Sequence, residues 1–296
     1  MNQKGPGNAT TKKKMKNSVY LLAVLPFLAI VLLYEILPLI SMIVSSFGSE
    51  TNPDVSFCGD NYKNIFITPA YQQAILNSLK ITIVSTIFGI LIAFIGARAA
   101  YISHGKTRNV FIAILNMTSN FAGVPLAFAY MIILGTSGIV IQLAKATGFG
   151  ALSAFNLYSS SGLTLMYIYF QIPLATLLLI PAFNVIRKEW REANLLLGGS
   201  NGRFWFKVGI PMLIPSIFGT INVLFANALA AYATAYALLM YNYLLLPVKI
   251  SSMFTGDMQM QPHLGAAMSV VMMLIMILAI FLNNYIVKKT SKWEVR

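Results

Sequence analysis

Long apolar stretches separated by short polar ones dominate the chain. From Val110 to Leu134 no Asp, Glu, Lys or Arg interrupts the sequence, and the same holds from Gly162 to Ile186 and from Met258 to Val287. An uncharged apolar run of 18 or more residues suits a helix that crosses a membrane, because about 20 residues at 1.5 Å each span the hydrocarbon core. The pattern predicts six such helices, over 19–47, 75–102, 109–134, 163–186, 212–240 and 264–288. The runs are continuously apolar and do not alternate, which argues for helices and against a β-barrel. The expected fold is therefore all-α, a polytopic membrane protein. Gly123 and Pro125 inside the third run predict a broken or bent helix near a pathway. The small residues of "LFANALAAYATAYALL" in the fifth predict close helix packing. Three connections, 48–74, 135–162 and 241–263, are longer than turns, and "GIVIQLAKATGFG" in the second reads as a short interfacial helix or a buried packing segment.

Charge sharpens this picture. Only 10% of the 296 residues are charged, against about 25% in soluble domains. Of the 21 Lys and Arg, 17 fall in the amino-terminal arm, the second-to-third connection, the fourth-to-fifth connection and the tail, leaving Lys63, Lys80, Lys145 and Lys249 on the other side. Positive charge marks the cytoplasmic face, so both termini and the fourth-to-fifth connection are expected there. The net charge of +13 is then mostly a topology signal. A nucleic-acid partner is not expected, since that would require a soluble basic face with stacking aromatics.

Residues 1–17 read as a flexible basic cytoplasmic arm and 18–296 as the transmembrane domain. The apolar run from Val19 is too long for a cleaved signal and lacks a small-x-small cleavage pattern. Cys58 has no second cysteine to pair with, and no Cys/His cluster suggests a metal. His104 and His263 are expected to be ordinary loop-end histidines.

The fourth-to-fifth connection is the polar exception to the pattern. "RKEWREANLLL" is compatible with a helix, with Lys188 and Glu192 as i,i+4 neighbours and Trp190, Ala193 or Asn194, and Leu197 along one face. Gly198 and Gly199 supply the positive-φ residue that ends a helix. Ser200 then caps a second short helix, "NGRFWFKVGI", which Pro211 is expected to stop or redirect. "GGSNG" lacks the Lys-Ser/Thr of a phosphate-binding loop. Taken alone, the stretch also reads as an amphipathic connector on the bilayer, with Trp190, Phe204, Trp205 and Phe206 as interfacial anchors.

These residues resemble the cytoplasmic loop of inner-membrane permease subunits of binding-protein-dependent ABC importers. That loop reads Glu-Ala-Ala, three residues, Gly, nine residues, Ile-x-Leu-Pro. Here the same spacing gives Glu192-Ala193-Asn194, then Gly198, then Val208-Gly209-Ile210-Pro211, with Asn194, Val208 and Ile210 as mild departures. The resemblance extends less sharply over 77–287, and its overall look is similar to the spermidine/putrescine-type group that also includes ferric-iron, thiamine and phosphonate permeases.

The resemblance implies a type I importer permease in the bacterial inner membrane. It implies two partner ABC ATPase subunits, a second permease in a heterodimer, an external substrate-binding protein, and membrane lipid. ATP and Mg would sit on the ATPase, with no cofactor on this chain and no enzymatic activity of its own. The ATPase-coupling loop would comprise Glu192, Ala193, Asn194, Gly198, Arg203, Lys207, Ile210 and Pro211. In that loop Gly198 would allow close approach of the turn, and the aromatic residues would fill a pocket.

Polar residues inside spans are the default translocation-path candidates: Glu35, Asn116, Asn120, Asn222, Asn227 and Thr234, with Gln171 and Asn184 beside them. Each also has a structural reading as interhelical glue. The expected substrate is a small, polyamine-like solute. The alternative class is a stand-alone carrier or channel, or a membrane-embedded enzyme; the latter would need converging acid, base, nucleophile or metal ligands.

Overall fold

The computed structural model describes residues 24–50, 57–240, 242–255 and 260–291. The arm over 1–17 lies outside them. Among the described residues there is no β-strand. Among the described residues, twelve helices of eight residues or more carry the fold. α1 is Val24–Ser45, α2 Asp60–Ile67, α3 Pro69–Ile102 and α4 Gly105–Ser119. α5 is Val124–Leu134, α6 Ile139–Thr147, α7 Ser160–Phe183 and α8 Lys188–Leu196. α9 is Asn201–Leu229, α10 Tyr232–Leu239, α11 Leu246–Thr255 and α12 Pro262–Ser291. Among the described residues, six stretches are long and apolar enough to cross a membrane: α1, α3, the α5–α6 segment, α7, α9 and α12.

α3 and α7 form the most extensive helix pair, and their sequences show why. One face of α3 carries small or short polar residues, among them Ser85, Gly89, Ala93 and Ala97, all buried. A Cβ on Gly89 would lie 3.1 Å from the Cβ of Gln171. With no hydrophobic drive between helices in lipid, close backbone approach and interhelical hydrogen bonds hold such pairs. Gln171 is fully buried and its Nε2 donates to Ser85 Oγ at 2.7 Å. It acts here as glue between two helices.

The break expected at Pro211 is absorbed instead, as is the proline at Pro38. A proline ring clashes with the carbonyl four residues earlier and lacks an N–H. Residues Leu32–Ile36 form a π turn just before Pro38, and Trp205–Gly209 form another just before Pro211. The wider i→i+5 turn accommodates the lost bond without ending the helix. Pro211 therefore neither stops nor redirects the chain. α9 runs unbroken from Asn201 to Leu229, so the fifth span begins earlier than the expected 212–240 and ends at Leu229. The third run is split, as Gly123 and Pro125 predicted, into α4 and α5. α6 supplies the short helix expected in "GIVIQLAKATGFG" and packs against α5.

The bundle has a basic end, formed by the α3–α4 turn and the α7–α9 connection, and an opposite end. At the opposite end Glu50 Oε1 accepts from the backbone N–H of His263 at 2.7 Å and of Leu264 at 3.1 Å, capping α12. His263 Nδ1 lies 2.9 Å from the Ser45 carbonyl, tying α1 to α12. His263 is thus a loop-end histidine that clamps two helices.

Candidate coupling loop and translocation cavity

The connection between α7 and α9 is built by local chain rules. α8 ends in paired backbone bonds: Gly199 N–H donates to Asn194 O at 2.8 Å and Gly198 N–H to Leu195 O at 3.0 Å. These are the two bonds of a Schellman ending, which requires a left-handed residue after the cap. Gly198 provides it with φ +73°. Nothing stands within 4 Å of where its Cβ would be, so Gly198 serves the backbone angle and not a close approach within this chain. The close approach belongs to Gly199, whose Cβ would overlap the Asn194 amide. Asn194 Nδ2 in turn donates to the carbonyls of Gly199 at 3.1 Å and Ser200 at 3.2 Å. The departure from Ala at this position thus adds a staple across the turn. Ser200 Oγ accepts from Arg203 N–H at 3.2 Å and caps α9, as expected.

The base of the loop is buried and its tip is not. Phe204 is buried against a cluster that includes Phe183 at the end of α7. Trp205 is half-buried, with the Arg98 guanidinium of α3 4.9 Å above its ring. Tyr101 Oη donates to Ile186 O at 3.2 Å. Gly209 leaves room for Trp205, since a Cβ there would stand 2.6 Å from the ring. Most of the aromatic side chains therefore fasten the loop to the bundle; of Phe204, Trp205 and Phe206, only Phe206 is exposed, at 77%.

At the tip, Leu196 is 89% and Leu197 88% exposed. Glu192, Ala193, Arg203 and Lys207 are exposed beside them, Asn194 and Ile210 are half-buried, and Pro211 is half-buried near the start of α9's apolar run. The Lys188 side chain, and hence its expected pairing with Glu192, lies outside the described residues.

The second site lies between the two helix breaks. A cavity of about 460 Å³ is lined by residues of the α4–α5 break, the α9–α10 break and α7. Gly123 sits in the first break at φ +72°, ψ −142°, a conformation essentially restricted to glycine. Its N–H donates to Thr234 Oγ1 of α10 at 3.0 Å. Tyr167 Oη of α7 donates to Ala231 O at 2.6 Å, holding the second break. Ser119, Asn227, Tyr232 and Thr234 are the hydroxyl and amide side chains in the lining, Phe170 and Tyr232 give it aromatic walls, and no lining residue is charged.

Of the sequence candidates, Asn227 and Thr234 reach this cavity. Asn120 lies one residue beyond the lining Ser119, its Nδ2 bonded to Asn116 O at 2.8 Å. Asn116 is exposed one turn earlier and donates to Ile112 O. Glu35 is exposed in the π turn of α1, and Asn222 is half-buried on α9; neither lines the cavity. Asn184 caps α7 and belongs to the basic end. Ser119 and Phe170 escaped the sequence reading because Ser and Phe are ordinary in membrane helices; only the fold makes them lining residues.

No family profile matches the chain. It is 27% identical over 215 residues to a probable sulfate transport system permease protein of Helicosporidium sp. subsp. Simulium jonesii, covering 69% of this chain and 73% of that one. It is 25% identical over 232 residues to a spermidine/putrescine transport system permease homolog of Mycoplasma genitalium, covering 75% and 74%. Among solved structures it superposes with TM-score 0.74 at 14% identity on a chain of a bacterial alginate ABC transporter in complex with an alginate pentasaccharide-bound periplasmic protein, covering 95% of this chain and 98% of that one. The chain therefore shares the fold of that transporter chain.

Proposed function

We infer that this chain, a permease subunit of the binding-protein-dependent ABC importer kind, forms part of a translocation path in a bacterial inner membrane and couples it to a separate ATPase through residues 187–211. It is a multi-pass transport subunit and not an enzyme. The observation that carries the coupling is the loop's division into a buried base and an apolar tip. Leu196 and Leu197 are almost fully exposed on a helix whose Schellman turn holds them in place. Exposed leucines on an otherwise polar helix suit a partner's pocket. The base, wedged among α3, α7 and α9, passes any displacement of the tip into those spans.

The reading assigns two ATPase subunits carrying ATP and Mg, a second permease in a heterodimer, and an extracytoplasmic binding protein. The uneven Lys and Arg distribution supports a cytoplasmic basic end with both termini. For the substrate, a polyamine-like solute is supported by one relative named for spermidine and putrescine. Other relatives and neighbours are named for sulfate and alginate, so the shared fold does not set substrate charge. The cavity offers hydroxyl, amide and aromatic groups without a charged side chain, which leaves charge selection to the binding protein.

The test is co-purification from the native membrane. The chain should bring an ATPase with it, and Leu196→Asp with Leu197→Asp should release that ATPase while the purified permease keeps its melting temperature. Truncating a buried hot-spot side chain costs about 2 kcal/mol or more, so the pair should weaken association at least 30-fold. A permease that transports its solute with no ATPase attached sinks the reading in favour of a stand-alone carrier.

A further inference from the structure

A cavity of about 730 Å³ lies at the basic end, between the α3–α4 turn and the start of α8. Three arginines line it: Arg108 from α4, Arg187 just before α8, and Arg191 within α8. Glu192 is the single carboxylate in the lining. It is exposed, and none of the four makes an ion pair among the described residues.

Two helices also begin here. α4 follows His104 and α8 follows Arg187, and both of these cap residues line the cavity without a side-chain acceptor for the first-turn N–H groups. α4 has no acid in its first turn, whereas α8 has Glu189. Uncapped helix starts present unsatisfied donors and a partial positive charge. Arginines and helix starts from two separate elements thus converge on one hollow, and they call for an anion.

The hollow's depth and walls say which anion. It lies at the ends of the spans α3 and α7 and the beginning of α9, the level of lipid headgroups. Tyr101 and Trp205 line it, as aromatic residues do at a membrane boundary. Ile102 and Leu195, both largely exposed, add apolar surface. A soluble anion has no use for such walls, but a phospholipid has acyl chains for them and a phosphate for the arginines. The Leu196–Leu197 tip does not line the hollow, although Glu192 and Leu195 of the same helix do, so the hollow lies beside the tip and shares its helix.

We propose that this cavity binds the headgroup of an anionic phospholipid, whose phosphate bridges Arg108 on α4 to Arg187 and Arg191 at the start of α8. The lipid ties the loop's first helix to the α3–α4 turn, making the stiffness of the loop depend on membrane composition. The proposal goes beyond the importer reading and stands without it, since binding is measured on this chain alone.

The full-length chain is reconstituted in nanodiscs of phosphatidylcholine with a minor fraction of phosphatidylglycerol, and retained lipid is counted by native mass spectrometry. Phosphatidylglycerol should be retained over phosphatidylcholine, less so at high salt. A basic residue near an anionic surface is worth about fivefold in binding. Arg108→Gln should therefore lower retention about fivefold and Arg108→Gln with Arg191→Gln roughly 25-fold. Arg108→Lys should keep most of it, which guards against a merely misfolded variant, and Lys288→Gln on α12 should leave it unchanged.

Equal retention by the arginine variants, or an equal loss in Lys288→Gln, overturns the site in favour of diffuse surface charge. Inorganic phosphate displacing the lipid completely at comparable concentration overturns the lipid as occupant and leaves a soluble anion. Arginine variants that keep their lipid but lose a co-purifying ATPase overturn it in favour of a protein carboxylate.

Discussion

The turn joining α8 to α9 is held by side-chain bonds that reach no more than six residues along the chain, whereas the cavity at the helix breaks is held by bonds that cross 64 and 111 residues. In the loop, glycine, asparagine and serine satisfy one another locally, and the geometry follows from their order. At the breaks, each unwound segment depends on a residue of another helix to satisfy its backbone. The loop should therefore behave as a rigid attachment that tolerates change elsewhere, and the breaks as a cooperative element. Thr234 and Tyr167 stabilise the cavity by tying each chain interruption to a residue of another helix.

The largest effect expected from this contrast is at Thr234. It is buried, and its hydroxyl is the acceptor for Gly123 N–H. Thr234→Val keeps the shape and orphans a backbone donor, which costs about 1–3 kcal/mol. The melting temperature of the purified chain should fall by several degrees and solute uptake with it, while ATPase association stays intact. Thr234→Ser should recover most of both. A Thr234→Val protein that melts like the parent would mean that the break is held by packing and not by this bond.

Gly198→Ala should have a smaller and more confined effect. Forcing a side chain into the left-handed region costs about 1–2 kcal/mol, and there is open space around the position, so strain is the only penalty. Because the Schellman bonds are local, the cost should appear as weaker coupling, read as less transport per ATP, with the bundle's melting temperature nearly unchanged. Gly198→Asn should be milder, since asparagine tolerates this conformation. Equal loss of melting temperature in Gly198→Ala and Thr234→Val would erase the distinction between the two regions.

The same distinction explains what was legible in the sequence. Glu192, Gly198, Ser200 and Pro211 carry a spacing, and a spacing suffices for a structure made of short-range bonds. Gly123 and Pro125 marked the first break because positive φ and a missing donor are properties of single residues. The second break, at Ala230 and Ala231, has no such residue; it exists because α10 packs on α5 and Tyr167 takes the Ala231 carbonyl. Pro211 misled because its local penalty is real, but a π turn before it absorbs that penalty within a continuous helix. Glu35 drew attention as the only acid inside a span, yet cavity membership is decided by which helices meet. α1 packs along α12, away from the breaks.

Tyr167→Phe tests the tie at the second break and should give the smallest change. The hydroxyl is one of two long-range ties, and its loss removes a bond worth about 1 kcal/mol while leaving the ring packed against Phe170, 5.2 Å between centroids. The Ala231 carbonyl retains a second lone pair, whereas the half-buried Gly123 N–H is a single donor with a single acceptor, so the carbonyl carries the smaller penalty. The melting temperature should drop by less than in Thr234→Val. The double variant Tyr167→Phe with Thr234→Val carries the sharper information. If the two breaks form one cooperative element, the double loss should differ from the sum of the single losses by about 0.5 kcal/mol or more. If the losses simply add, each break is held independently, and the cavity is two local structures that happen to face each other.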